Sequence, residues 1–121
     1  MVKNNKLLID GSHNPLGAKV LNEYLESLDC NKHIILGMMG NKDHKEYMSY
    51  FKNIASLTTI DIPNQPNSIE GKVWKNKLNS FDNVKYKESI IDAIKSVPVK
   101  ENDTILITGS LYLAGEVLNL N

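Results

Sequence analysis

The sequence predicts a three-layer α/β/α fold of Rossmann-like type, built on a mostly parallel sheet of five or six strands. Three observations carry this reading. Short apolar runs alternate with stretches whose apolar residues recur at three- and four-residue spacing, an order that gives parallel strands with helices on both faces. The runs are continuous rather than alternating, as suits strands covered on both sides. Several runs also end directly in Gly-bearing turns, at Gly11, Gly37 and Gly109.

Leu7–Ile9 reads as the first strand, ending at Asp10. Asn14 is then a good N-cap, and Pro15 a good first helical residue, because its fixed φ suits the helix and its missing N–H is not needed there. Gly17, Val20, Leu21, Tyr24, Leu25 and Leu28 share one predicted helix face. Ile34–Leu36 is the second strand, stopped by Gly37-Met38-Met39-Gly40. The next helix is predicted from Asp43 to Ile54, with Tyr47, Met48, Phe51, Ile54 and Ala55 inward. Leu57–Ile62 is the third strand. Ser68 can cap a helix to Asn79 with Ile69, Val73, Trp74 and Leu78 inward. Val84–Tyr86 is a short fourth strand, followed by a helix marked by Ile90, Ile91, Ile94 and Val97. Ile105–Ile107 is the fifth strand. Gly109-Ser110 turns into a last helix with Leu113, Ala114, Val117 and Leu118. There is no repeat and no linker, so residues 1–121 read as a single domain.

The composition is that of a globule: 121 residues, 41% hydrophobic and 23% charged. Acids and bases balance at fourteen each, which argues against a general nucleic-acid binder. All fourteen bases are Lys, so no bidentate guanidinium fork is available for an anion. The one cysteine, Cys30, cannot close an internal disulfide and reads as a small half-buried hydrophobe. No signal segment and no apolar run long enough for a membrane are seen, so the expected address is the cytoplasm.

In a sheet of this kind, ligands bind outside the carboxyl ends of the strands, near the point where the strand order reverses. The loop richest in chemistry is Asp10-Gly11-Ser12-His13-Asn14-Pro15. It joins an acid, a hydroxyl, an imidazole and an amide to a helix N-terminus, whose open N–H groups favour an anion. Asp10 is suited to accept from a pair of ligand hydroxyls, and His13 to donate to a phosphate or carboxylate. The same residues also serve as turn-ordering and solvated loop groups, and spacing alone leaves both readings open. The segment is not a phosphate-binding P-loop: five residues separate Gly11 from Gly17, and Ala18 precedes Lys19. Gly37 to Gly40 with Asn41, Lys42 and Asp43 forms a second Gly-rich loop, in which Asp43 also suits the N-cap of the next helix. Thr108-Gly109-Ser110 is a third strand end bearing hydroxyls, where Ser110 also serves as an N-cap. His33 opens a strand and His44 starts a helix. Neither has a Cys or acid at ligand spacing, so no metal site is expected.

Three segments, in order along the chain, carry a family resemblance. Leu8 to Ala18 resembles the DGAHNP-x-GA signature of folylpolyglutamate synthase and dihydrofolate synthase, with Ser12 in place of the usual Ala. Gly37 to Asp43 resembles that family's Gly-rich loop ending in DKD, with Asn41 in place of the first Asp. Thr108 to Glu116 is similar to its TGSLYL-x-GE ending.

The resemblance implies the C-terminal domain of a Mur-ligase-like enzyme, with a mixed sheet whose first strand lies beside the last. It implies ATP-dependent amide formation in folate biosynthesis: a folate carboxylate is phosphorylated, and the amine of L-glutamate then attacks the acyl phosphate. Asp10 and Asn14 would then contact ATP, Asp10 through the ribose hydroxyls. His13 would contact the incoming glutamate or the phosphate region and Ser110 the glutamate carboxylate, with Lys42 as a further substrate-binding residue. No catalytic residue is expected here. The phosphate-binding loop, the Mg²⁺ ligands and most of the pocket for folate or dihydropteroate belong to an N-terminal ATPase domain outside these 121 residues. The chain alone is therefore expected to be inactive. A free-standing binding module that keeps the fold, or a related Mur-type amino-acid ligase domain, are the alternatives. The His13-Asn14-Pro15 turn favours the folate branch, since cell-wall members usually carry a Lys there.

Overall fold

The computed structural model describes residues 6–10, 15–38, 44–62, 70–71, 73, 84–98, 100 and 102–109. In chain order the elements are β1 (Lys6–Ile9), α1 (Pro15–Glu26), β2 (Lys32–Leu36), α2 (His44–Ser49), β3 (Ser56–Ile60), β4 (Lys85–Lys87), α3 (Ile90–Ser96) and β5 (Thr104–Thr108). The sheet order is β1-β5-β2-β3-β4. The first strand does lie beside the last, with Ile9 opposite Ile107. The sheet is mostly parallel as expected, and among the described residues all four strand pairings are parallel.

The continuous apolar strands fill two cores, because successive side chains leave a strand on opposite faces. On one face Ile34 and Leu36 of β2, Leu57 of β3 and Leu106 of β5 pack against Ala18, Leu21 and Leu25 of α1 and Tyr47, Met48 and Phe51 of α2. On the other, Ile35, Ile60, Ile105 and Ile107 pack against Ile90, Ala93 and Val97 of α3. Each fully buried Leu or Ile contributes about 1.5–3 kcal/mol relative to exposure. α3 opens on a Ser89 cap whose hydroxyl accepts from the Asp92 N–H at 3.1 Å.

Three helix readings change. Leu21 and Leu25 of α1 face the core, but Val20 and Tyr24 are exposed and line a groove with Leu8 of β1 and Leu106 of β5. The helix predicted to Ile54 stops at Ser49 although its apolar period continues. The Lys52 N–H is captured by Asn22 Oδ1 of α1 at 3.1 Å, and Asn53 turns to φ 58°. A tertiary bond thus overrides local propensity. Ala55 is exposed, so it is not inward. In α3, Ala93 takes the inward place predicted for Ile91, which is exposed. Val73 is likewise exposed. Trp74, Leu78 and the last predicted helix lie outside the described residues. Among the described residues, no helix is long and apolar enough to cross a membrane.

Candidate functional site

Three strands end at one level. The Asp10 N–H donates to Ile107 O at 3.0 Å, which keeps β1 paired with β5 to its last residue. The Gly37 N–H donates to Thr108 O at 3.3 Å, which does the same for β2. Because β5 sits between β1 and β2, the chain order reverses here, and this rim is the switch point at which α/β sheets take ligands. Asp10, Thr108-Gly109 and Gly37 therefore emerge side by side.

The middle of the rim is tightly set. Gly109 has φ 113°, a conformation that side chains rarely adopt. A Cβ there would meet the Gly37 carbonyl oxygen and lie 2.8 Å from Met38 Cγ. Close approach at this loop is thus made by Gly109 to its neighbour strand. Met38, read from sequence as a loop residue, is fully buried and closes the core beneath the rim. Thr108 Oγ1 and Tyr47 Oη share a buried hydrogen bond of 2.7 Å, and the Tyr47 ring packs on Phe51 with centroids 5.5 Å apart. α2 thereby holds the end of β5 in place. Tyr47→Phe leaves Thr108 without that partner and should cost about 1–2 kcal/mol in urea unfolding.

Of the predicted site residues, Asp10 falls among the described ones: it is half-buried at the end of β1, at the mouth of a groove of about 670 Å³. Asn14, His13, Lys42, Asp43 and Ser110 lie outside the described residues. The strand ends that lead into their loops are the three just described.

Two polar clusters were not read from the sequence. At the far end of β3, Asp61 accepts the Gly71 N–H at 2.7 Å and the Tyr86 hydroxyl at 2.6 Å. Thr59 donates its hydroxyl to Gly71 O at 2.6 Å, so Gly71 is clasped to the end of the strand through both its N–H and its carbonyl. The Asp61 hydrogen bond, with burial and the nearby negative charges of Asp61, Glu88 and Glu70, pushes the Tyr86 phenol up to about 12. At the opposite end of the sheet, His33 of β2 is buried, bonding Ser56 Oγ at 2.7 Å and Asp103 Oδ2 at 3.0 Å. Asp103 also accepts the Lys100 N–H at 2.8 Å. Burial opposes ionisation of Asp103, but bonds from the Lys100 N–H, His33 and the Asn31 N–H outweigh it and hold the carboxyl below its ordinary range. This cluster ties the starts of β2, β3 and β5 together and stands at the end of the sheet away from the rim. Cys30 is half-buried, 3.3 Å from Thr104 Oγ1, as its reading from sequence expects.

Comparison with solved structures places this fold beside folylpolyglutamate synthases. The Thermotoga maritima enzyme is 26% identical with a TM-score of 0.82, over 99% of this chain and 28% of its own. The Mycobacterium tuberculosis enzyme, solved with ADP and AMPPCP, is 23% identical with a TM-score of 0.83, over 94% of this chain and 29% of its own. A bifunctional folylpolyglutamate synthase/dihydrofolate synthase from Yersinia pestis is 15% identical with a TM-score of 0.85, over 99% and 29%. The chain thus spans less than a third of the length of each. Comparison by sequence with curated proteins gives no match. The family model described as "Mur ligase, glutamate ligase domain" matches residues 1–111. With the parallel sheet, the reversal at β5 and a match over nearly all of its length, the chain belongs to the Mur ligase glutamate ligase domain family.

Proposed function

We propose that this chain is the glutamate-binding lobe of an ATP-dependent ligase that adds L-glutamate to a folate through an acyl phosphate. The observation that carries the reading is the shared rim of β1, β5 and β2, with Asp10 at its edge, in a chain of the glutamate ligase domain family. The folylpolyglutamate synthases of like fold support it: one is solved with ADP and AMPPCP, another with AMPPNP and a manganese ion.

The chemistry asked of this lobe is positioning rather than bond making. Transfer of a phosphoryl group from ATP to the folate carboxylate releases ADP. The glutamate amine then forms the C–N bond, phosphate leaves with the C–O electron pair, and the amine loses a proton. In this reading the Asp10 carboxylate accepts from the nucleotide's ribose hydroxyls, with Asn14 beside it. His13, Ser110 and Lys42 meet the substrate's negative charge. Holding the amine in line is a contribution that can reach several kcal/mol. The carboxylate of Asp10 at a strand end suits hydroxyl donors, so the residue present fits the nucleotide. Among the described residues, no three His, Cys, Asp or Glu side chains come together to hold a metal ion. The Mg²⁺ ligands belong, on this proposal, to the ATPase portion.

The test is a full-length chimera in which this chain replaces the matched portion of the Thermotoga maritima enzyme. Glutamate-dependent ADP release, with folate-tail extension seen by mass spectrometry, is the expected result, and this chain alone should show neither. Asp10→Ala in the chimera should raise KM for ATP about tenfold or more. A chimera that extends no folate, or one indifferent to Asp10→Ala, overturns the reading.

A further inference from the structure

Tyr47 and Thr108 form a polar pair at a place where the core would accept apolar side chains. Both are fully buried, and Thr108 follows Leu106 on the sheet face where Leu36, Met38 and Phe51 also pack. Their hydroxyls share the hydrogen bond of 2.7 Å. Such a bond adds little net stability, and an apolar pair of the same shape can be nearly neutral in its place. Its position in the fold gives it a stronger purpose. Thr108 is the last residue of β5, directly before Gly109, and Tyr47 lies in the first turn of α2, the helix that follows the second Gly-rich loop. Thr108 is thus held twice. Its carbonyl accepts the Gly37 N–H at 3.3 Å, and its hydroxyl is tied to α2. The first bond sets its height against β2, and the second selects one rotamer of a stiff, β-branched side chain. The next residue has little latitude: Gly109 stands so close to Gly37 that a Cβ would strike the Gly37 carbonyl oxygen. A small rotation at Thr108 is therefore passed directly to the contact between the two glycines.

We propose that Tyr47 is a positioning residue for ligand binding at the rim: through the Thr108 hydroxyl it sets the line on which β5 delivers Gly109 beside Gly37. On the ligase reading, on which this rests for the identity of the ligand, that ligand is ATP. Tyr47 is buried beneath the rim and acts through Thr108. Without its hydroxyl the end of β5 samples more than one arrangement, and the ligand has to order the turn as it binds. That cost falls on binding, so KM rises, while kcat, measured with the site filled, changes little.

Tyr47→Phe, Thr108→Val, the two together and Thr108→Ser, each in the Thermotoga maritima chimera, test this. Asp103→Asn is the control, because it lowers stability from the opposite end of the sheet. Tyr47→Phe, Thr108→Val and the double variant should each raise KM for ATP about tenfold, with kcat within about twofold of wild type. In urea unfolding the double variant should lose less than the two single losses combined, because neither hydroxyl strands the other. Thr108→Ser keeps the hydroxyl and should keep KM, and Asp103→Asn should leave KM unchanged. A KM that follows stability across the set, returning in the double variant or rising in Asp103→Asn, would overturn the positioning role and leave the ligase reading standing. Amide exchange on this chain alone reads the rim without ligation. The Gly37 amide should exchange about tenfold faster in Tyr47→Phe and at the wild-type rate in Asp103→Asn. An unchanged Gly37 rate in Tyr47→Phe would overturn the proposal whatever the chimera does. A faster Gly37 rate beside a chimera that extends no folate would overturn the ligase reading and leave Tyr47 as the residue that sets the rim.

Discussion

Gly109→Ala should be the most damaging single substitution at the rim. At φ 113° an alanine is strained before it touches anything, and its Cβ would press on the Gly37 carbonyl oxygen and approach Met38 Cγ to 2.8 Å. The first of these neighbours is backbone, and the second belongs to a fully buried side chain, so neither yields cheaply. Backbone strain contributes about 1–3 kcal/mol, and overpacking adds about 1–3 kcal/mol. Urea unfolding should show the sum as a lowered midpoint with little change in slope. The same displacement parts β5 from β2 at their ends, so nucleotide-dependent activity in the chimera should fall more than stability does. A variant as stable and active as wild type would mean that the rim is looser than described.

The second large effect lies at the other end of the sheet. Asp103→Ala should cost about 3 kcal/mol, because it strands the buried His33 ring nitrogen and the Lys100 N–H together. The pH dependence has a definite sign. Asp103 titrates lower in the folded chain than in the unfolded one, so its ionised form favours folding. That stability is fully present above the ordinary carboxylate pKa of about 4 and is lost as pH falls from there through the folded value. Wild type and Asp103→Asn should therefore differ in melting temperature at neutral pH and converge below about pH 4. A constant difference across that range would remove the charge from the explanation. Ligand binding at the rim should be little affected, since the cluster stands at the opposite end of the strands.

The strand order of secondary structure was legible because it rests on burial. Ile34 to Leu36 and Ile105 to Ile107 are apolar without interruption, since both faces of β2 and β5 are covered. Helix ends were less legible where a distant residue set them. Nothing near Phe51 announces that Asn22 will take the Lys52 N–H and end α2 early. The inward face of α1 was read too wide for a similar reason. Val20 and Tyr24 have the right period, but the period does not say which residues of the face meet the sheet closely. The place of Asp10 at a strand end was legible because the apolar run Leu7–Ile9 stops there before a Gly turn. The Asp61–Tyr86 clasp was hidden because Asp61 read as part of a strand. His33 was hidden because its partners, Ser56 and Asp103, lie 23 and 70 residues away. The likenesses of Leu8–Ala18 and Thr108–Glu116 to family segments carried what spacing could not, the expected roles of His13, Asn14 and Ser110.

On the proposed function, ligand meets this domain at the rim where β1, β5 and β2 end. Amide shift mapping of the isotope-labelled chain during titration with ADP tests it most directly. Saturable shifts centred on Asp10, Gly37 and Gly109, diminished by Gly109→Ala, are the expected result. Shifts centred on His33, Ser56 and Asp103, or none that saturate, would contradict it.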